Sequence, residues 1–440
     1  MHHPGHMHHP AKALPRISPP IPAATVWLLQ GARLGDNQQV LALGAALEAR
    51  FGWRLVVKQL KFISGRYPAP DVAQNFARAL DHVDLAQSDP IAADAGHPWP
   101  DLVIAIGRRM APVARWIKAQ NTPTGIHIQL GRFQAPFDSV DLLVTTPQYG
   151  LPAATNALHL SLPITAPRHL DPATLAMPAM ASILTIAGPR IVMLIGGPSS
   201  PIGFDLADGE RLLREGLAFA AARKGTLLVA TSPRTPRAVV DLLRQELPAP
   251  HRFFPFEAGS GENPYPALLA CGDAFVVTSD SVSMVADASL TGREVRLVEL
   301  PVKAPRPLWQ PSWPLAHWVG RRRNMRLVRG LGADWLDRWY EGEVRAARAQ
   351  PTRHVPTIMN RLLRERHLAL LSDPSPPRTD LAQLAAEELA MVSTRILALL
   401  TQRRTAALRT RMAVGPSVDN PSNDLGPRGI ILAQPGAASA

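Results

Sequence analysis

Ten apolar runs, each five or six residues long, mark the chain, and helical patterns lie between them. The first five are Thr25–Gln30, Arg54–Gln59, Asp101–Ile106, Ile126–Leu130 and Asp141–Thr145. The second five are Arg190–Ile195, Thr226–Ala230, His251–Phe256, Asp273–Thr278 and Val295–Leu300. Runs this uniformly apolar read as strands buried on both faces, and helices between them imply parallel pairing. A helix is expected over Asp36–Arg50, with Val40, Leu41, Leu43, Ala46 and Leu47 on one side. Further helices are expected over Gly209–Lys224 and Pro236–Glu246. The fold class that follows is α/β: two tandem Rossmann-like, doubly wound parallel-sheet domains with a helical C-terminal extension.

A Pro-rich stretch from Leu162 to Pro189 joins the two halves. The expected divisions are a disordered tail over 1–22, an N-terminal domain over 23–180, a C-terminal domain over 188–335, a helical extension over 336–412 and a second tail over 413–440. The first tail holds five histidines, which read as tail composition before metal ligands, and it lacks the apolar segment of a signal peptide. No transmembrane helix is expected, because the most apolar stretch, Ala173 to Gly197, is broken by Pro178, Pro189 and Arg190.

The chain has 440 residues, 46% of them hydrophobic and 19% charged, which excludes global disorder. Its single cysteine, Cys271, excludes a disulfide scaffold and a Cys-based metal site. The net charge of +12 is uneven, for Pro301 to Met412 holds 20 Lys/Arg against 9 Asp/Glu. A basic partner surface can therefore be sought only in the last quarter.

The unusual sequence falls just after the expected strands, where open parallel sheets bind ligands. After the first strand comes Gly31-Ala-Arg-Leu-Gly35-Asp36-Asn37. It is neither a dinucleotide fingerprint nor a P-loop. Asp36 reads as a helix N-cap or as a base facing the cleft. The second half carries four such loops: Gly196-Gly197-Pro198-Ser199-Ser200, Thr231-Ser232-Pro233-Arg234-Thr235-Pro236, Gly259-Ser260-Gly261-Glu262-Asn263-Pro264-Tyr265, and Thr278-Ser279-Asp280-Ser281-Val282-Ser283-Met284-Val285-Ala286-Asp287-Ala288. Each alone is ordinary turn chemistry. Together they offer N–H groups and hydroxyls to anionic oxygens. Arg234 adds a charge suited to phosphate, Ser281 or Ser283 would bond phosphate oxygens, and Asp287 would meet ribose hydroxyls.

This series resembles the elongated-mitochondria family, named for mitochondrial fission in plants and with many bacterial members. The resemblance runs from Thr25 to Leu300, and S-D-S-V-S-M is its most specific part. The family is similar in fold to GT-B glycosyltransferases, which hold a nucleotide-sugar mainly on the second of two Rossmann-like domains. One departure stands out: Asp287-Ala288 replaces the usual Glu-Ala.

The resemblance implies a metal-independent transferase with no cofactor and no metal, taking a nucleoside-diphosphate sugar, UDP-linked ones included; the basic C-terminal quarter points to a lipid or envelope acceptor for the sugar. The nucleotide and phosphate candidates are Gly35, Gly196, Gly197, Ser232, Arg234, Ser281, Ser283, Met284 and Asp287; the sugar candidates are Glu262 and Asn263. The base candidates are Asp36 and His127, the latter alternating with apolar residues like a core or cleft-wall histidine. Arg108 and Arg109 are anion binders or a basic helix start. Two alternatives stay open, a non-catalytic interaction protein on a retained transferase fold and a nucleotide-sugar epimerase.

In the last quarter, Arg321, Arg322, Arg323, Arg326 and Arg329 follow Trp309, Trp313 and Trp318. An amphipathic helix is expected from Asp380 to about Arg411, packing on the α/β body or lying on a membrane. The expected setting is cytoplasmic, with an anionic inner-membrane surface as a candidate partner and no nucleic acid, since no recognition motif accompanies the charge.

Overall fold

The computed structural model describes residues 22–67, 78–93, 98–121, 123–165, 176–257, 263–303, 315–351, 353–375, 377 and 380–414. Residues 1–21 and 415–440 of the two tails, Glu262, Trp309 and Trp313 lie outside the described residues.

The first sheet contains β1 (Thr25–Gln30), β2 (Arg54–Gln59), β3 (Leu102–Ile106), β4 (Ile126–Leu130), β5 (Leu142–Thr145) and β6 (Ala157–His159), in the order β2-β1-β3-β4-β5-β6. The second contains β7 (Arg190–Ile195), β8 (Thr226–Thr231), β9 (Arg252–Phe254), β10 (Ala274–Thr278), β11 (Glu294–Val298) and β12 (Ala369–Leu370), in the order β12-β11-β10-β7-β8-β9. Every pairing in both sheets is parallel. The central strands β3, β4, β8 and β10 are buried at every position, His127 and Gln129 of β4 included. The chain is thus two Rossmann-like α/β domains with a helical C-terminal region, a GT-B-like architecture.

Helices α1 (Leu34–Phe51) and α2 (Gly107–Gln120) serve the first sheet. The second sheet has α3 (Pro178–Leu184), α4 (Leu206–Ala222), α5 (Arg237–Glu246), α6 (Tyr265–Cys271) and α7 (Val282–Ser289). The last quarter forms α8 (Leu315–Val328), α9 (Trp335–Arg345), α10 (Val355–Arg364) and α11 (Leu381–Val414).

This last quarter alternates between the two bodies. Val319 of α8 and Tyr340 and Val344 of α9 pack with Phe133, Leu143 and Leu151 of the first domain. Val355, Ile358 and Leu362 of α10 then join the core of the second domain, and β12 extends its sheet. Helix α11 starts against that same core through Leu381. It ends on the first domain, where Val392, Ile396 and Leu400 are wholly buried beside Val40 and Leu43 of α1. Three such side chains contribute about 1.5–3 kcal/mol each. Glu388 anchors the crossing by accepting from Ser161 N–H (2.9 Å) and Ser161 Oγ (2.8 Å). Among the described residues, no helix is long and apolar enough to cross a membrane.

Much of the basic charge is used internally. Arg322 pairs with Asp334 and Asp337, Arg326 with Asp337, and Arg323 with Glu341 while also donating to Gly150 O (3.0 Å). Arg403 pairs with Asp141 and Arg404 with Asp101. These five arginines close packing between elements, so the sequence count overstates the basic surface.

Candidate functional site

The strand order of the second sheet reverses between β7 and β10, and there the loops beyond the strands meet. At the centre is Asp280, fully buried. Its Oδ2 accepts from Gly197 N–H (2.9 Å) and Arg234 Nη2 (2.9 Å), and its Oδ1 accepts from Thr278 Oγ1 (2.7 Å). Thr278 Oγ1 in turn accepts from Gly196 N–H (2.8 Å). Arg234 Nη1 donates to Gly197 O (3.1 Å), and Thr235 Oγ1 donates to Gly196 O (2.6 Å). Ser232 N–H donates to Thr235 Oγ1 (2.9 Å). The loops after β7, β8 and β10 therefore form one hydrogen-bonded unit around one carboxylate.

The two glycines are dictated by this proximity. A Cβ on Gly196 would lie 2.1 Å from Asp280 Oδ2, and one on Gly197 would lie 2.0 Å from the Arg234 carbonyl oxygen. Arg234 holds the loops together through both Nη1 and Nη2, yet its side chain is 43% exposed.

Helix α7 begins beside this unit. Ser281 is its N-cap but makes no side-chain capping bond; its Oγ lies 3.4 Å from Ser283 Oγ. Ser283 is exposed, and Met284 leans on the second domain's core. Further along α7, Asp287 Oδ2 accepts from Tyr265 Oη (3.0 Å) and Oδ1 from Thr165 Oγ1 (3.2 Å). The carboxylate expected at a ribose thus ties α7 to α6 and to the linker. Asn263 is exposed, and its Oδ1 accepts from Tyr265 N–H (3.1 Å), an Asx turn ahead of α6.

On the first domain, α1 starts at Leu34, two residues before the expected start, so Asp36 lies in its first turn and is not the cap. Burial raises the Asp36 carboxyl above its usual value, against the opposing pull of Arg33 and Arg353. Burial also raises the Tyr149 hydroxyl, within the fields of Arg353, Asp36 and Arg132. Gly35 is exposed, with open space where a Cβ would stand, so it is not a point of close approach. The turn is held instead by Asn37, which accepts from Gly31 N–H (2.9 Å) and donates to Gly31 O (2.7 Å). Arg108 and Arg109 stack on Tyr67 at 3.9 and 4.2 Å.

His127 is corrected by the structure. It is wholly buried near the start of β4, whereas the site lies past the carboxyl ends of the strands. Its Nε2 faces Gln129 Oε1 (3.1 Å), and burial presses its pKa down to about 3. It is a neutral core histidine, remote from any acceptor.

The residues that sequence patterning passed over are Asp280, Thr278, Tyr149 and Arg353. Arg353 Nη1 donates to Ser199 Oγ (3.1 Å), while its charge acts on Asp36 and Tyr149 across the cleft. The neighbouring His354 N–H donates to Gln148 O (2.7 Å). One short segment thus touches the ligand edge of both sheets. Among the described residues no group of acidic, His or Cys side chains is arranged to hold a metal.

Two Rossmann-like domains whose carboxyl edges meet across a cleft define a GT-B-like α/β protein. The chain belongs to the mitochondrial fission ELM1 family, whose sequence profile matches residues 34–312. It is 28% identical over 221 residues to the mitochondrial fission protein ELM1 of Arabidopsis thaliana, covering 45% of this chain and 51% of that relative. The chain spans about half the length of that curated relative. Similar solved structures include a putative UDP-N-acetylglucosamine 2-epimerase from Listeria monocytogenes, at 11% identity, covering 78% of this chain and 95% of that one, with a TM-score of 0.36. The spinosyn rhamnosyltransferase SpnG is 14% identical, covering 87% and 100%, with a TM-score of 0.37. MurG of Acinetobacter baumannii is 12% identical, covering 86% and 99%, with a TM-score of 0.35. Scores this low add nothing to the architecture read directly from the strand order.

Proposed function

We propose that the chain binds a nucleoside-diphosphate sugar in the cleft and transfers the sugar to an acceptor held by the first domain. The diphosphate lies at the amino end of α7, beside Ser281, Ser283 and Arg234. There the helix dipole, N–H groups and hydroxyls favour anionic oxygens without a metal. Asp36 is the general base, because burial raises its carboxyl toward the range where it accepts a proton from an acceptor hydroxyl. The lipid or envelope identity of that acceptor, and attachment to an anionic membrane surface, belong to the same proposal.

The observation that carries this reading is the convergence of three strand-end loops on buried Asp280, directly ahead of Ser281 at the start of α7, with the Arg234 side chain 43% exposed. Titration calorimetry with UDP-, GDP- and CMP-sugars tests it: one family of nucleotides binds saturably, and silence from all of them ends the reading.

A second reading, a non-catalytic interaction protein on the same fold, is favoured by one observation. Arg234 and Asp287 both already serve internal contacts. It predicts donor binding without sugar release in the presence of any acceptor extract.

A further inference from the structure

A cavity of about 950 Å³ opens between the second domain and the helices α8 and α10. The turn Pro198–Ile202 after β7 and the residues Val302 and Lys303 after β11 form one wall. The opposite wall runs from His317 to Arg329 on and just past α8, closed by Arg353 and His354 ahead of α10. The Pro198–Ile202 turn also borders the Asp280 unit, for Arg234 Nη1 donates to Pro198 O (3.5 Å).

Four cations, Lys303, Arg321, Arg329 and Arg353, line this space, and among the described residues no Asp or Glu does. A concave surface of one charge sign focuses its field on whatever enters. The two histidines of the wall register that field. Burial, then the Arg321 cation, lowers His317, and the same two causes press His354 to about 4. Arginine forks and a lysine suit the oxygens of a phosphate.

The lining also carries apolar side chains, Ile202, Val302, Met325 and Val328, beside the cations. A compact inorganic anion would leave that surface uncovered.

We propose that this cavity binds a phosphate-bearing amphiphile, with the phosphate among Lys303, Arg321, Arg329 and Arg353 and the hydrocarbon against Ile202, Val302, Met325 and Val328. The assignment goes beyond nucleotide-sugar binding and does not rest on it. Such a ligand reaches the cavity either free in solution or from a bilayer, and both sources present the same chemistry.

The test titrates the full chain with geranyl phosphate, geraniol and inorganic phosphate. Geranyl phosphate binds at least about tenfold more tightly than either fragment, since each fragment satisfies only one half of the lining. Lys303→Ala with Arg329→Ala weakens it at least about tenfold. Val302→Asp, on an exposed position that does not threaten folding, weakens it similarly by placing an anion in the wall. Flotation with phosphatidylcholine vesicles separates the sources. Capture only when phosphatidic acid is present assigns the bilayer; geranyl phosphate binding without capture assigns the soluble one. No saturable binding, equal affinity for inorganic phosphate, or variants within about twofold of the parent protein would overturn the assignment. UDP is titrated in parallel. The UDP-, GDP- and CMP-sugars are titrated beside it: binding of one of them without geranyl phosphate binding overturns the cavity assignment alone, and geranyl phosphate binding with silence from all of them supports it while ending the donor reading.

Discussion

Removing the carboxylate of Asp280 is the sharpest test of how the second domain holds its ligand edge. Asp280→Ala orphans three donors at once: Gly197 N–H, Thr278 Oγ1 and Arg234 Nη2. The first two are buried, and each unsatisfied buried donor costs about 1–3 kcal/mol. The Arg234 side chain is 43% exposed, so it regains water and adds little. The expected loss is about 2–6 kcal/mol, a large part of a domain's stability. Asp280→Asn keeps the shape but presents an amide where one oxygen stood, and so loses about half as much. Urea unfolding followed by circular dichroism measures both. An Asp280→Ala protein within about 0.5 kcal/mol of the parent would refute the idea that this carboxylate organises the three loops.

Four other outcomes follow from the same geometry. Gly197→Ala, whose Cβ would meet the Arg234 carbonyl at 2.0 Å, destabilises by more than about 2 kcal/mol, whereas Gly35→Ala, in open space on a helix, is neutral or stabilising by up to about 1 kcal/mol; thermal melts of the pair decide it. His354, held near 4, and His127, held near 3, stay neutral in the folded state while the unfolded chain takes up protons below its ordinary 6.5. Stability is therefore unaffected above about pH 6.5 and falls as the pH drops from there toward 4, by on the order of 1 kcal/mol per pH unit for each histidine, and His354→Gln flattens the slope in a pH series of urea melts. Asp36→Asn lowers sugar transfer about 10²–10⁴-fold with the donor KM little changed, and an unaltered kcat removes Asp36 from the chemistry. Glu388→Ala, which strips Ser161 N–H of its acceptor, costs about 1–3 kcal/mol and loosens α11 by hydrogen exchange; unchanged protection of α11 counts against its role as an anchor.

The central strands were legible because burial on both faces keeps them mostly apolar, His127 and Gln129 of β4 being exceptions. Thr25–Gln30 and Arg190–Ile195 start and end where the apolar runs do. The edge strands Ala157–His159 and Ala369–Leu370 were not, since two or three residues make no run. Helix α11 was foreseen from its stripe, and its apolar side chains do cover the α/β body. The loops were visible as composition, but their roles depend on what lies opposite. Asp280 is one letter in a polar string until Gly196 and Gly197 are brought against it from a strand 83 residues away. The arginine cluster read as surface because its acids, Asp334, Asp337 and Glu341, come a helix later and meet it only when α8 and α9 pack together. Arg353 stands in an unremarkable stretch, and only the approach of two domains gives it neighbours.

The alternation of the last quarter between the bodies makes the molecule a laced object, not two beads on a string. Severing the polypeptide anywhere between residues 303 and 369 would leave the second sheet without β12 and the first without the cover of α11. Neither half is a transplantable module, and any opening of the cleft must bend several tethers together, which narrows the range over which its two rims can part.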